Sequence, residues 1–180
     1  MTDATRTLIQ MFMDLLRVLL VYGVFAVLLL TLMANWSLPY FTALKPQIVL
    51  IAVFYWTLYR PSLMPPWVIF ATGLLLDSVN PAVPMGTHAL SYLLIAGLLK
   101  PRRRMLMGQP FMMIWVGFIA VMVIDMAVKV AVMGVFTATR PSTEIILLNG
   151  LVTILIFPMV LMLLVFVHRF LPAGRGMVVN

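Results

Sequence analysis

The sequence predicts an all-α membrane protein of about six transmembrane helices with both termini cytoplasmic. Three observations carry this. First, 64% of the 180 residues are hydrophobic and only 9% are charged, with a mean hydropathy of +1.14. A water-facing domain of this length needs about a quarter of its residues charged, whereas an exterior facing hydrocarbon does not. Second, the apolar runs are separated by short proline, glycine and basic punctuation, with no polar block to divide the chain into domains. Third, the basic residues gather at the ends of the runs, as orientation signals do.

Residues 1–17 form a mildly amphipathic segment, in which Leu8, Met11, Phe12 and Leu15 recur at helical spacing. It is expected to lie along the inner surface. The first span covers 18–34. Asp3 and Asp14 interrupt its basic flank and no small-residue cleavage site follows, so it is taken as retained. Asn35-Trp36-Ser37-Leu38-Pro39-Tyr40 then supplies interfacial aromatics and a helix stop.

Pro46 opens a second span over 47–59, closed by Arg60-Pro61. Pro65-Pro66 opens a third, because proline is tolerated in a first helical turn. That span runs from Trp67 to about 77–79 and is broken by Asn80-Pro81-Ala82-Val83-Pro84-Met85-Gly86. A fourth span covers 87–99 and ends at Lys100-Pro101-Arg102-Arg103-Arg104. The fifth covers 111–136 and the sixth 145–167. Residues 18–171 thus make one transmembrane domain, followed by a cytoplasmic tail over 172–180.

With the N-terminus inside, the inner segments hold Arg6, Arg17, Arg60, Lys100, Arg102, Arg103, Arg104, Arg169 and Arg175. The outer ones hold only Lys45 and Arg140, which follows the positive-inside rule. The net charge of +7 is therefore read as orientation and contact with anionic membrane lipids, not as a nucleic-acid surface. The third span is short: a helix over 67–77 rises roughly 17 Å, against a hydrocarbon core of about 30 Å. The third and fourth spans therefore either extend into their flanks or form a hairpin that does not fully cross.

Charge within the spans is costly and needs a reason. Asp125 and Lys129 are four apart with the acid first, the favoured order for a helical ion pair. Mutual neutralisation on insertion explains them, as does an Asp125 facing the bundle or a partner helix. Asp77 ends the third span, where the helix dipole disfavours a carboxylate. Either it is a plain interfacial end, or it accepts bonds from the backbone amides of the 80–86 turn. The latter predicts a re-entrant-like hairpin over 73–86 tied down by Asp77. The sequence leaves open whether Asp77 and Asp125 meet.

His88 and His168 have no ligand-spaced companions, and the chain has no cysteine; neither metal nor cofactor is expected. No P-loop, H-E-x-x-H, G-x-S-x-G or dinucleotide fingerprint occurs, and no nucleophile stands beside a base, so no enzyme is expected. Gly73 and Gly86 suit a close helix approach and a tight turn.

Lys45-Pro46-Gln47-Ile48-Val49-Leu50, Tyr55-Trp56, Arg60-Pro61, Gly73-Leu74-Leu75-Leu76-Asp77 and Gly86-Thr87-His88-Ala89-Leu90 occur in this order. Together with Asp125 and Leu148-Asn149-Gly150, they resemble the MreD family of rod shape-determining membrane proteins. The resemblance covers about residues 45–158. It implies a non-enzymatic scaffold in the bacterial inner membrane that binds the single-span protein MreC. It places the chain in the elongation machinery for peptidoglycan, with MreB, a RodA-type glycosyltransferase and a penicillin-binding transpeptidase. It also implies a fold resembling the substrate-binding subunits of energy-coupling-factor vitamin transporters, and such a subunit is the alternative function. Arg60, Gly73, Asp77, Gly86, His88, Asp125, Lys129 and Asn149 become candidates for structural or partner-binding roles.

Overall fold

The computed structural model describes residues 46–80, 83–136 and 143–170, with Gly23 as one further helical residue. The amphipathic segment 1–17, the first span over 18–34 apart from Gly23, the loops at 35–45 and 137–142, and the tail 172–180 lie outside the described residues. Within them the chain forms five α-helices and no strand. These are α1 (Ile48–Tyr59), α2 (Pro66–Val79), α3 (Thr87–Met107), α4 (Phe111–Phe136) and α5 (Thr143–Phe170). A 3₁₀ turn, Pro61–Leu63, joins α1 to α2.

The helices differ in length and in burial. The 12 residues of α1 and 14 of α2 rise about 18 and 21 Å at 1.5 Å per residue. The 26 of α4 and 28 of α5 rise about 39 and 42 Å. Over 111–136 and 144–166 the chain is long and apolar enough to cross a membrane. Both helices leave large apolar side chains uncovered, among them Val116, Val123 and Val130 on α4 and Leu151, Leu155 and Met159 on α5. By contrast α1 is enclosed on every side: residues 49–58 are all buried. A helix that is apolar all round belongs in an interior, and α1 packs chiefly on α3 and α5.

Three phenylalanines knit the centre. Phe118 of α4 and Phe157 of α5 stack at 4.3 Å between centroids, and Phe54 of α1 meets them edge-on at 5.4 and 6.0 Å. The offset and edge-to-face arrangements suit the ring quadrupoles. At the entry to α1, the Gln47 backbone N–H donates to Thr153 Oγ1 at 3.0 Å, and that hydroxyl donates to the Asn149 carbonyl at 2.6 Å. One threonine therefore ties an otherwise orphaned amide of α1 to α5.

The punctuation at 60–66 behaves as the sequence suggests. Arg60 closes α1 by donating its N–H to the Trp56 carbonyl at 2.8 Å, and Pro66 occupies the first turn of α2. The punctuation at 100–104 does not. The fourth segment does not end at Leu99: α3 continues through Pro101 for eight further residues. Proline removes one N–H and crowds the carbonyl four residues back. That residue is Gly97, which is exposed, so the carbonyl left without its helical partner is not sealed in the interior. The added arginines also favour the negative end of a helix.

A second internal proline has a compensating partner. Pro158 in α5 cannot donate to the Ile154 carbonyl, and the Trp115 indole Nε1–H of α4 donates to that oxygen at 3.2 Å. Trp115→Phe should therefore cost about 1–3 kcal/mol by stranding a part-buried carbonyl. The same change in a Pro158→Ala background should cost far less, since the helix then satisfies Ile154 itself. Thermal melting of the four proteins in detergent checks this; equal losses in both backgrounds would show that the indole only fills space.

Candidate functional site

The buried charged side chains among the described residues gather along α3, which packs against both α2 and α4, and their placement begins with a glycine. Gly73 lies against the start of α3 so closely that a Cβ there would stand 2.5 Å from the Ala89 nitrogen and 2.8 Å from the His88 carbonyl carbon. Only hydrogen fits, and the obstacle is backbone, which cannot swing aside. Close contact of small residues is the usual basis of helix association in lipid. Here Gly73 and Ala89 provide it, bringing the next turn of α2 level with the first turn of α3.

On that next turn is Asp77, 4% exposed. The carboxylate points across to the amino end of α3. Oδ2 accepts the Gly86 N–H at 2.9 Å, and both oxygens accept the His88 N–H at 3.1 and 3.2 Å. The Ala89 N–H lies at the limit, 3.5 Å from Oδ2. The His88 ring adds Nδ1 at 2.6 Å from Oδ1. An ionised carboxylate only accepts, so Nδ1 carries the hydrogen.

The first amides of a helix lack intrahelical acceptors, and those of α3 can be followed one by one. Gly86, His88 and Ala89 turn to Asp77, and Thr87 N–H donates to the Pro84 carbonyl at 3.2 Å. Leu90 N–H then makes the first helical bond, to Gly86 at 2.9 Å. Gly86 itself has φ of 95°, a left-handed conformation that favours glycine. It has no side chain to cap the helix, and Asp77 supplies the missing acceptor from the neighbouring helix. This resolves the electrostatic conflict of an acid at a helix C-terminus: the same carboxylate faces the positive end of α3.

One turn further along α3, Ser91 donates its hydroxyl to Asp125 Oδ1 at 2.6 Å. The other oxygen of Asp125 lies 2.7 Å from Lys129 Nζ. That contact is off the geometry of a directional hydrogen bond, so it is an ion pair. Asp125 is wholly buried and Lys129 is 6% exposed. His88 and Ser91 are one turn apart on α3, so the helix cap and the ion pair adjoin along that helix. The Tyr92 ring meets His88 edge-on at 5.9 Å, and its hydroxyl is buried with no hydrogen-bond partner among the described residues.

The structure thus brings together Gly73, Asp77, Gly86, His88, Asp125 and Lys129. Asp77 and Asp125 do not pair with each other; each has its own donors. Arg60 and Asn149 serve other contacts, at the end of α1 and in the α1–α5 junction. Sequence reasoning passes over Ser91 and Trp115. Ser91 does carry a legible signal, as a hydroxyl three residues after His88 and therefore on the same helix face. By its residue types the arrangement is one of fixed charges and, the Tyr92 hydroxyl apart, paired donors that link α2 and α4 through α3. Compared with family models, curated proteins and solved structures, the chain matches none of them.

Proposed function

We propose that this protein is a six-span scaffold of the bacterial inner membrane, with both ends cytoplasmic, that binds MreC and serves the rod-shape elongation machinery without enzymatic activity. One observation carries the proposal. Residues of two motifs that carry the family resemblance, Gly73 and Asp77 in one and Gly86 and Ala89 in the next, meet at a single helix contact. A motif pair with a shared physical purpose is a stronger sign of kinship than either alone. Two long apolar helices with uncovered apolar faces support membrane residence, and the run of Lys100, Arg102, Arg103 and Arg104 supports the orientation.

In lipid, a single-span partner binds by close packing and occasional buried polar contacts, not by expelling water. Purification in mild detergent should recover MreC, and the complex should survive high salt. Dissociation in salt would mean that the basic connections hold the partner. Recovery of a bound vitamin in place of MreC would replace the scaffold with the transporter subunit. MreB, the RodA-type glycosyltransferase and the transpeptidase belong to the same assembly, so depletion of the chain should cost cells their rod shape.

Orientation has a separate check. Cysteine placed at Thr139 should react with an impermeant thiol reagent on intact cells, whereas cysteine at Gln109 should not. Stronger labelling at Gln109 would reverse the topology.

A further inference from the structure

The extension of α3 beyond Leu99 creates a feature that the cap at Asp77 and the Asp125–Lys129 pair do not use. Four basic residues, Lys100, Arg102, Arg103 and Arg104, lie on its last two turns and not in a loop. At about 100° per residue, Lys100, Arg103 and Arg104 share one third of the helix circumference, while Arg102 points to the opposite side. Arg102 folds back along its own helix, its Nη1 donating to the Leu98 carbonyl at 3.3 Å. Lys100 and Arg103 are half-buried. Leu106, which lies on the helix between Arg102 and Arg103, approaches Gly117 of α4; of those two arginines Arg103 is the half-buried one, so its edge of the basic face borders the α3–α4 crevice.

No carboxylate of the described residues is at hand to neutralise them. Among the described residues the acids are Asp77, Asp125 and Glu144. The first two are buried with His88 and Lys129 as partners, and Glu144 starts α5 at the far end of the antiparallel α4–α5 pair. Around the same α3–α4 turn, Met107, Phe111 and Met112 are exposed. A cationic face rimmed by apolar side chains matches a ligand with an anionic head and hydrocarbon tails. Arginine is the side chain whose planar fork suits phosphate oxygens.

We infer that Lys100, Arg103 and Arg104, with the apolar rim of Met107, Phe111 and Met112, form a binding site for the phosphate headgroup of an anionic phospholipid. The site rests on the membrane residence proposed above. Arg103, half-buried at the crevice, is its central contact, and the headgroup fastens the α3–α4 turn.

The test uses the full chain in mild detergent, with thermal melting and native mass spectrometry as readouts. Phosphatidylglycerol should raise the melting temperature by several degrees and stay bound, whereas phosphatidylcholine should do neither. Arg103→Gln should weaken phosphatidylglycerol binding several-fold, while Arg102→Gln, which removes the same charge, should leave it nearly unchanged. Equal effects of the two lipids, or equal losses in the two variants, would overturn the site in favour of diffuse charge attraction. A shift reproduced by millimolar inorganic phosphate would overturn the lipid as its occupant. Alkaline carbonate extraction of native membranes separates the two levels. A chain released by carbonate defeats membrane residence itself, whereas one that is retained but shows no lipid preference defeats only this site.

Discussion

Asp77→Leu should be among the most damaging single substitutions in the protein. It removes the acceptor for the Gly86 and His88 amides and for the His88 ring at one stroke. Each stranded buried donor costs about 1–3 kcal/mol, and the favourable interaction of the carboxylate with the amino end of α3 is lost as well. Asp77→Asn should fall between. It keeps the shape and one acceptor oxygen, but its amide donors face amides that also donate, and its bonds are no longer charge-assisted. Melting temperature and recovery of the proposed partner MreC should both be highest in the parent, intermediate in Asp77→Asn and lowest in Asp77→Leu. An Asp77→Leu variant as stable as the parent would show that the start of α3 is held by Gly73 packing alone.

The second large effect concerns Asp125 and Lys129. Removing one member of a buried pair leaves the other charge uncompensated and costs about 3–5 kcal/mol, whereas replacing both by apolar residues is often neutral or stabilising. Asp125→Leu should accordingly destabilise the protein strongly, and adding Lys129→Leu should recover most of the loss. Ser91 then loses its acceptor, so the fullest recovery needs Ser91→Ala as well. Melting curves of the single, double and triple variants decide the matter. A double variant as unstable as the single would mean that the pair does more than balance charge. A double variant that melts normally yet fails to retain MreC would assign the pair to the partner.

The sequence alone determined most of the helical framework, because that framework depends on local signals. Proline at Pro46, Pro65 and Pro66, the break at 80–86, and long uninterrupted apolar runs after Phe111 set helix ends through steric and hydrogen-bonding rules that act within a few residues. The same locality explains the one misplaced end. Lys100-Pro101 has the composition of a helix stop, but whether a proline ends a helix or is carried within it depends on its surroundings, and here α3 runs on to Met107 with Gly97 exposed.

Composition likewise made the costs of Asp77, Asp125 and Lys129 visible, since a charge in an apolar run must be compensated somewhere. The Asp125–Lys129 pair was legible because both groups sit on one helix at i and i+4. Where the remaining compensation comes from was a tertiary matter. The acceptor for the α3 amides is a residue of α2, the hydroxyl on Asp125 comes from α3, and the indole that serves the Pro158 gap comes from α4. A carboxylate at the end of one helix is unfavourable until another helix presents its amino end, and only the close approach at Gly73 and Ala89 brings the two within hydrogen-bond distance.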